Sequence, residues 1–247
     1  MSIPLVIAHR GNSSQALENS LEAFRLAMSI PVDMIELDVR MTRDKRLFVM
    51  HDNSTRRTAD RDLLIEHSMA DDVSCLILRN GEAIPGLIDV LNLVNGAVGI
   101  NLEIKSDGAG TLVAAKLAEV KYFARVLLSS FNMSEVLAAK EVLPDVPIAG
   151  IFDRFSPRRV SEYRARGFQT ISLNRRTVTR NLIDRCHAKD IRVYIWTVDK
   201  PDQMQKFISW GADGIYSNKP ALLKMVLDRS QGITSNNMEM TRMPYGQ

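Results

Sequence analysis

Two cysteines in 247 residues, Cys75 and Cys186, stand apart with no metal-like spacing. That excludes a disulfide framework and a cysteine-built zinc centre, and both thiols are expected to be reduced, in the core or near the surface. Long apolar runs are also missing. No stretch approaches the roughly 20 residues that a membrane span needs, so no stable membrane insertion is expected. The opening "MSIPLVIAHR" has no basic region, no signal-length apolar core and no small-residue cleavage site, which makes the cytoplasm the default location. A dominant charge is absent too: 32 basic residues face 29 acidic ones, a net charge of +3. Bulk electrostatics therefore gives no reason to expect nucleic acid as a partner.

What is present is material for one large core. Apolar residues make up 45% of the chain and charged residues 25%, the balance of a soluble globular protein. Short apolar, β-branched runs at 5–8, 34–39, 98–104, 125–129, 148–152, 170–173, 192–197 and 214–216 predict eight strands. Amphipathic stretches at 20–28, 111–120, 134–141, 157–166, 179–188, 201–210 and 220–227 predict helices between them, several opening on Ser, Thr or Pro as helix starts do. Eight strands alternating with helices point to an α/β protein whose parallel sheet closes into a (β/α)8 TIM barrel. A doubly wound open sheet is the alternative. The rhythm breaks after the second strand, where "LFVMHD" (47–52) precedes a mixed, charged stretch and then the helical "IPGLIDVLNLV". We expect one barrel over 1–229, an inserted rim segment at about 53–87, and a loosely packed polar tail at 230–247. The oligomeric state stays open, and a homo-oligomer is compatible with the sequence.

Barrels of this kind carry their sites at the carboxyl ends of the strands. The first strand ends in His9-Arg10, followed by Gly11, which gives the chain room to turn away. The second reads "IELDVR", with Glu36 and Asp38 two residues apart and so on one face. The extra run ends in His51-Asp52, and the third strand, "GINLEIKS", puts Glu103 and Lys105 on one face. Buried charges are costly unless paired or metal-bound. Three converging carboxylates, Glu36, Asp38 and Glu103, with no cysteine cluster favour one divalent cation, Mg²⁺ or Ca²⁺. The competing reading is an ion-pair network in which Arg10 and Lys105 satisfy Glu36 and Glu103. Phe131 and Trp196, at the ends of the fourth and seventh strands, are expected to wall the apolar part of a ligand. His67 and His187 read as ordinary surface or packing histidines.

The ordered set "AHRG" (8–11), "ENSLEAF" (18–24), "IELDVR" (35–40), "HD" (51–52), "IP.L.DVL" (84–91), "NLEIK" (101–105), "SSF" (129–131), "WTV" (196–198) and "GADGIYSNKP" (211–220) resembles the glycerophosphodiester phosphodiesterase family over almost the whole chain up to Pro220. The resemblance implies a (β/α)8 barrel with a small insertion after the second strand, and metal-dependent hydrolysis of a small-molecule phosphodiester. It makes Glu36, Asp38 and Glu103 the metal ligands, His9 and His51 the acid/base pair, and Arg10 and Lys105 the phosphate contacts. Glu18 joins the substrate-binding candidates. It also implies that a neighbouring glycerol hydroxyl attacks first, giving a cyclic phosphate that water then opens.

Three departures stand out. Leu17-Glu18-Asn19-Ser20 replaces a Pro-Glu-Asn-Thr pattern, Asn218 stands where the family often has an acid, and the insertion lacks a glycine-rich pattern. They bear on substrate more than on chemistry. Arginines in "DRFSPRR" and "NRRTVTR" bring Arg154, Arg175 and Arg176 toward the mouth, either as a solvated rim or, for Arg175 and Arg176, as contacts to a second anionic or sugar-like group. Three functions remain open at this point: hydrolysis to sn-glycerol 3-phosphate and an alcohol, including of a sugar phosphodiester; a phospholipase D-like lyase that releases cyclic phosphate; and a non-catalytic barrel that binds anions.

Overall fold

A computed structural model describes residues 3–122 and 125–232. Among them are nine strands and nine helices. Eight strands run parallel: β1 (Leu5–His9), β2 (Met34–Met41), β4 (Gly99–Ile104), β5 (Val126–Ser130), β6 (Ile148–Phe152), β7 (Thr170–Asn174), β8 (Arg192–Trp196) and β9 (Gly214–Ser217). Each pairs with its neighbours around the ring, and β1 closes the barrel by pairing with β2 on one side and β9 on the other. The eight expected strands all form within a residue or two of their predicted bounds. The closed ring, rather than an open sheet, follows from the β1–β2 register, in which His9 lies beside Glu36. The "LFVMHD" run supplies β3 (Leu47–Val49), antiparallel to β2 through Val39 and Val49.

Alternation along the strands divides the core. On β4, Ile100, Leu102 and Ile104 are buried in the layer between barrel and helices, while Asn101 and Glu103 face the cavity inside. The barrel interior is plugged by Ile7, Met34, Leu127, Ala149, Tyr194 and Tyr216, so polar side chains gather above an apolar floor. Outside lie α1 (Leu21–Met28), α3 (Leu87–Val94), α4 (Gly110–Glu119), α5 (Met133–Val142), α6 (Val160–Ala165), α7 (Arg180–His187), α8 (Pro201–Ser209) and α9 (Pro220–Ser230). Their starts follow local chemistry. Ser20 accepts from the Ala23 N–H and Thr179 from the Leu182 N–H, while α8 and α9 open on proline, whose missing N–H costs nothing there. None of the described helices is long and apolar enough to cross a membrane. The stretch predicted as one helix from 157 begins as a single 3-10 turn, Pro157–Arg159, before α6.

The segment after β3 has more structure than its mixed sequence suggests. Two 3-10 turns, Thr55–Arg57 and Ile65–His67, and the short α2 (Ala70–Ser74) enclose an apolar cluster including Phe48, Met50, Ile65, Val73, Leu76 and Ile84. The Glu66 carboxylate ties this segment to the barrel by accepting from Arg40 Nη1 (2.8 Å) and Ser106 Oγ (2.7 Å). At the other end of the chain, α9 runs to Ser230, and the tail expected beyond it lies outside the described residues from 233 onward.

The turn after β1 is sterically determined. Gly11 has φ +80°, and a Cβ there would come within 2.6 Å of the Ala23 backbone in α1. Both facts demand glycine. Gly11→Ala is expected to lower the unfolding free energy by at least about 2 kcal/mol, read by urea denaturation; an unchanged midpoint would remove the constraint.

Candidate active site

The β1 end, its turn and β2 form one unit. Arg10 sits at φ +57°, and its backbone N–H donates to Glu36 Oε2 at 2.9 Å. Its guanidinium swings across the strand ends to Glu18 Oε1 (2.8 Å) and to Asp38 Oδ2 (3.1 Å), the second a charge contact without hydrogen-bond alignment. Asn19, also at positive φ, locks Asp38 from the other side: Nδ2 donates to Oδ2 (2.8 Å) and the Asp38 N–H donates back to Asn19 Oδ1 (3.3 Å). From β4, Lys105 Nζ donates to Glu103 Oε1 (2.5 Å) and lies 3.2 Å from Asp38 Oδ1.

Glu36, Asp38 and Glu103 each offer an oxygen within 4.8 Å of the others, and all three are buried. Arg10 and Lys105 offset them only in part: Asp38 Oδ1 meets the Lys105 charge without hydrogen-bond alignment, and among the described residues Glu36 Oε1 has no hydrogen-bond partner. Burial, then repulsion from Asp38 and Glu103, pushes the Glu36 carboxyl well above its ordinary range. Glu103 is also raised, by burial and Asp38. Burial works against the charged form of Asp38, but Lys105 and Arg10 hold its carboxyl below the usual range. Three buried carboxylates within 4.8 Å of one another, with Glu36 and Glu103 raised toward protonation, could hold a hard divalent cation. The pure ion-pair alternative leaves Glu36 Oε1 without a partner.

Two histidines flank this trio. His9 Nδ1 contacts Asn218 Oδ1 at 2.7 Å, its Nε2 lies 4.0 Å from Glu36 Oε2, and burial followed by Arg10 lowers its pKa to about 4. His51 Nδ1 contacts Asp52 Oδ1 at 2.6 Å, and burial lowers its pKa. Asp52 accepts from Arg57 Nε (2.7 Å), and Arg57 clamps Glu18 through Nη1 and Nη2 (2.8 and 2.7 Å). A chain of charge thus links the inserted segment through Glu18 to Arg10 and Asp38.

One cavity is lined by His9, Arg10, Glu36, His51, Glu103 and Lys105 on its charged side and by Phe131, Ile151 and Trp196 on its apolar side. Phe131 and Trp196 meet edge to face at 5.6 Å, with Lys105 Nζ 5.7 Å from the Phe131 ring. Asp38 sits just behind, fully buried. Glu18, Arg175 and Arg176 do not line this cavity. Both Glu18 oxygens are engaged by arginines. Arg175 donates its backbone N–H to Trp196 O and reaches toward Gln203, Arg176 is exposed, and so is Arg154. Arg154 follows β6 and Arg176 follows β7, both exposed, whereas Arg175 is half-buried.

Sequence reasoning missed the floor, where Tyr216 Oη lies 3.1 Å from Asn101 Nδ2 and 3.0 Å from Ser172 Oγ. The period-two alternation of Asn101 with Glu103 and Lys105 was a usable signal. It missed Arg57 and the Asp199–Asn218 contact as well, neither of which carries a local signal. His67 is exposed, and His187 is a surface residue bonded to Asp213.

Fold and site together define a (β/α)8 barrel with an acidic trio, two histidines and two cations at the carboxyl ends of its strands. Residues 9–222 match the glycerophosphoryl diester phosphodiesterase family, and the chain belongs to it. A glycerophosphodiester phosphodiesterase of Caldanaerobacter subterraneus subsp. tengcongensis is 29% identical over 238 residues, covering 89% of this chain and 96% of its own. A glycerophosphodiester phosphodiesterase structure from Parabacteroides distasonis superposes with TM-score 0.84 at 25% identity, covering 93% of this chain and 98% of that one. A phosphodiesterase from Oleispira antarctica, determined with its product sn-glycerol-3-phosphate, shares the fold at TM-score 0.85 and 24% identity over 92% and 97% of the two chains.

The crowded trio has a measurable consequence. A carboxyl raised in the folded state holds its proton above the pH at which the unfolded chain releases it, so its contribution to stability falls as pH rises. In chelator, Glu36→Gln should match the wild type near pH 4.5 and exceed its melting temperature by a growing margin toward pH 8. Comparing the two proteins cancels the opposite contribution of the histidines. A margin independent of pH would contradict the raised Glu36.

Proposed function

We propose that the protein hydrolyses a glycerophosphodiester to sn-glycerol 3-phosphate and an alcohol, using a divalent cation, Mg²⁺ or Ca²⁺, held by Glu36, Asp38 and Glu103. The observation that carries this reading is a single cavity bordered by two histidines, an arginine, a lysine and the carboxylates Glu36 and Glu103, with Glu36 Oε1 lacking a hydrogen-bond partner. Family membership and the names of the relatives support it. We read 1–229 as one catalytic barrel and the segment at about 53–87 as part of its rim.

When bound, the cation supplies Lewis-acid stabilisation of charge on the non-bridging phosphate oxygens. Arg10 and Lys105 add fixed positive charge on the same side, Arg10 with a planar fork and Lys105 as a point charge. One histidine accepts the proton of the attacking oxygen, either water or a neighbouring glycerol hydroxyl, as the new P–O bond forms. The other gives a proton to the departing alkoxide as its P–O bond breaks, and the two exchange roles if a cyclic phosphate is opened by water. Phe131 and Trp196 exclude water beside the alcohol portion. Glu18 orients Arg10 instead of meeting substrate, and Arg175 and Arg176 belong to the solvated rim.

Phosphorus NMR of glycerophosphodiesters incubated with Mg²⁺ or Ca²⁺ should show sn-glycerol 3-phosphate appearing, and EDTA should abolish it. Accumulating cyclic phosphate as the end product would replace hydrolysis by a lyase. His9→Ala and His51→Ala should each lower kcat by about 10²- to 10⁴-fold; near-normal turnover in either would remove that histidine from the mechanism.

A further inference from the structure

His9 is held from behind by a side-chain series that reaches the next strand connection. Asp199 Oδ1 accepts the Asn218 backbone N–H (2.8 Å) and the Ser217 hydroxyl (3.0 Å), and its Oδ2 accepts from Asn218 Nδ2 (2.8 Å). On its other side the Asn218 Oδ1 faces His9 Nδ1 at 2.7 Å. The Ser13 hydroxyl lies 2.9 Å from the same oxygen and 2.8 Å from the His9 carbonyl, and the Asn218 carbonyl accepts from the Ser14 N–H (3.0 Å). The end of β9 and the turn after β1 are therefore joined through one carboxamide.

We propose that Asp199 is a positioning residue that acts through Asn218 to hold His9 in the tautomer protonated on Nδ1. A carboxylate only accepts, so the Asn218 amino group must point at Asp199. Rotating the carboxamide by half a turn would set its oxygen against the Asp199 oxygen at the same 2.8 Å separation. The amide oxygen is thereby committed to the imidazole, and because it cannot donate, His9 Nδ1 carries the hydrogen. The neutral ring keeps its lone pair on Nε2, the nitrogen nearer Glu36, and proton exchange with a bound substrate runs through that atom. Asn218 thus passes on an orientation that originates in Asp199, where a carboxylate at 218 would contact the ring directly. His51 differs, because its Nδ1 meets the Asp52 carboxylate without an intermediary.

The proposal rests on the acid/base role given to His9 above, and its test has an arm that needs neither substrate nor metal. Protein labelled with ¹⁵N-histidine is analysed by long-range ¹H–¹⁵N correlation, with His9 assigned from its absence in His9→Gln. Wild type should show Nδ1 protonated and Nε2 bare. Asp199→Asn lets either face of the Asn218 amide meet position 199, and Asn218→Ala removes the contact. Both should populate the Nε2-protonated tautomer and lower kcat by roughly 10- to 100-fold, within the range of a displaced general base, with KM changed less than about threefold. The double variant Asp199→Asn, Asn218→Asp puts a carboxylate against the ring and should restore the tautomer and most of kcat, a rescue that a merely structural role would not give. An unchanged His9 tautomer in Asp199→Asn and Asn218→Ala, or a double variant that fails to restore it, would overturn the proposal. A tautomer response in a protein that hydrolyses no glycerophosphodiester would leave this inference standing and sink the substrate assignment instead.

Discussion

Three carboxylates share a space that two cations do not neutralise, and much of the site's architecture answers that imbalance. Glu36, Asp38 and Glu103 face one another because adjacent parallel strands in register bring them there: Asp38 pairs with Glu103 across β2 and β4, and His9 pairs with Glu36 across β1 and β2. No local choice of conformation could separate them without breaking the barrel. Their mutual repulsion is met by Arg10 and Lys105, by the Asn19 clasp on Asp38 and by the Arg10 backbone N–H on Glu36. Glu36 Oε1 still lacks a hydrogen-bond partner among the described residues, and Asp38 Oδ1 meets only the Lys105 charge at 3.2 Å. Buried carboxylates placed so close together are costly unless further positive charge offsets them.

The surrounding elements convert that tension into geometry. Gly11 lets β1 turn sharply over α1, and Arg10 at positive φ puts its N–H on one carboxylate and its guanidinium toward another. The segment after β3 contributes more than His51. Its cluster of buried apolar residues anchors Arg57, which links Asp52 to Glu18 and so supports both His51 and Arg10. At the opposite edge, Asp199 and Asn218 support His9. Each histidine is braced through Nδ1, His9 by Asn218 from beyond β9 and His51 by the adjacent Asp52.

Much of this was legible in the chain. Eight β-branched runs separated by amphipathic stretches point to a parallel α/β sheet, since right-handed crossovers return every strand parallel to the last, and the β1–β2 pairing closes it into a barrel. Charged residues two apart on β2 and β4 marked the cavity face, because a strand must send them both to the same side. The rest depended on tertiary placement. Arg57 lies 39 residues from Glu18 and looks like one of several surface arginines until the inserted segment folds. Asp199 reads as a loop acid, and only the closing of β8 and β9 beside β1 brings it behind His9. Asn101 carries no charge and drew no notice despite lying in step with Glu103. At Arg175 and Arg176 a cluster of charge after a strand suggested the mouth, and in the fold neither lines the cavity: Arg176 is exposed, and Arg175 is half-buried and reaches toward Gln203.

The central claim is that the buried trio is a divalent-cation site and not a self-contained ion-pair network. Manganese titration followed by electron paramagnetic resonance addresses it without substrate. The account predicts one tightly held Mn²⁺ per chain, displaced by Mg²⁺ or Ca²⁺, and loss of that binding in Asp38→Asn and Glu103→Gln. A wild-type protein that leaves Mn²⁺ free, or binding that survives both substitutions, would contradict it.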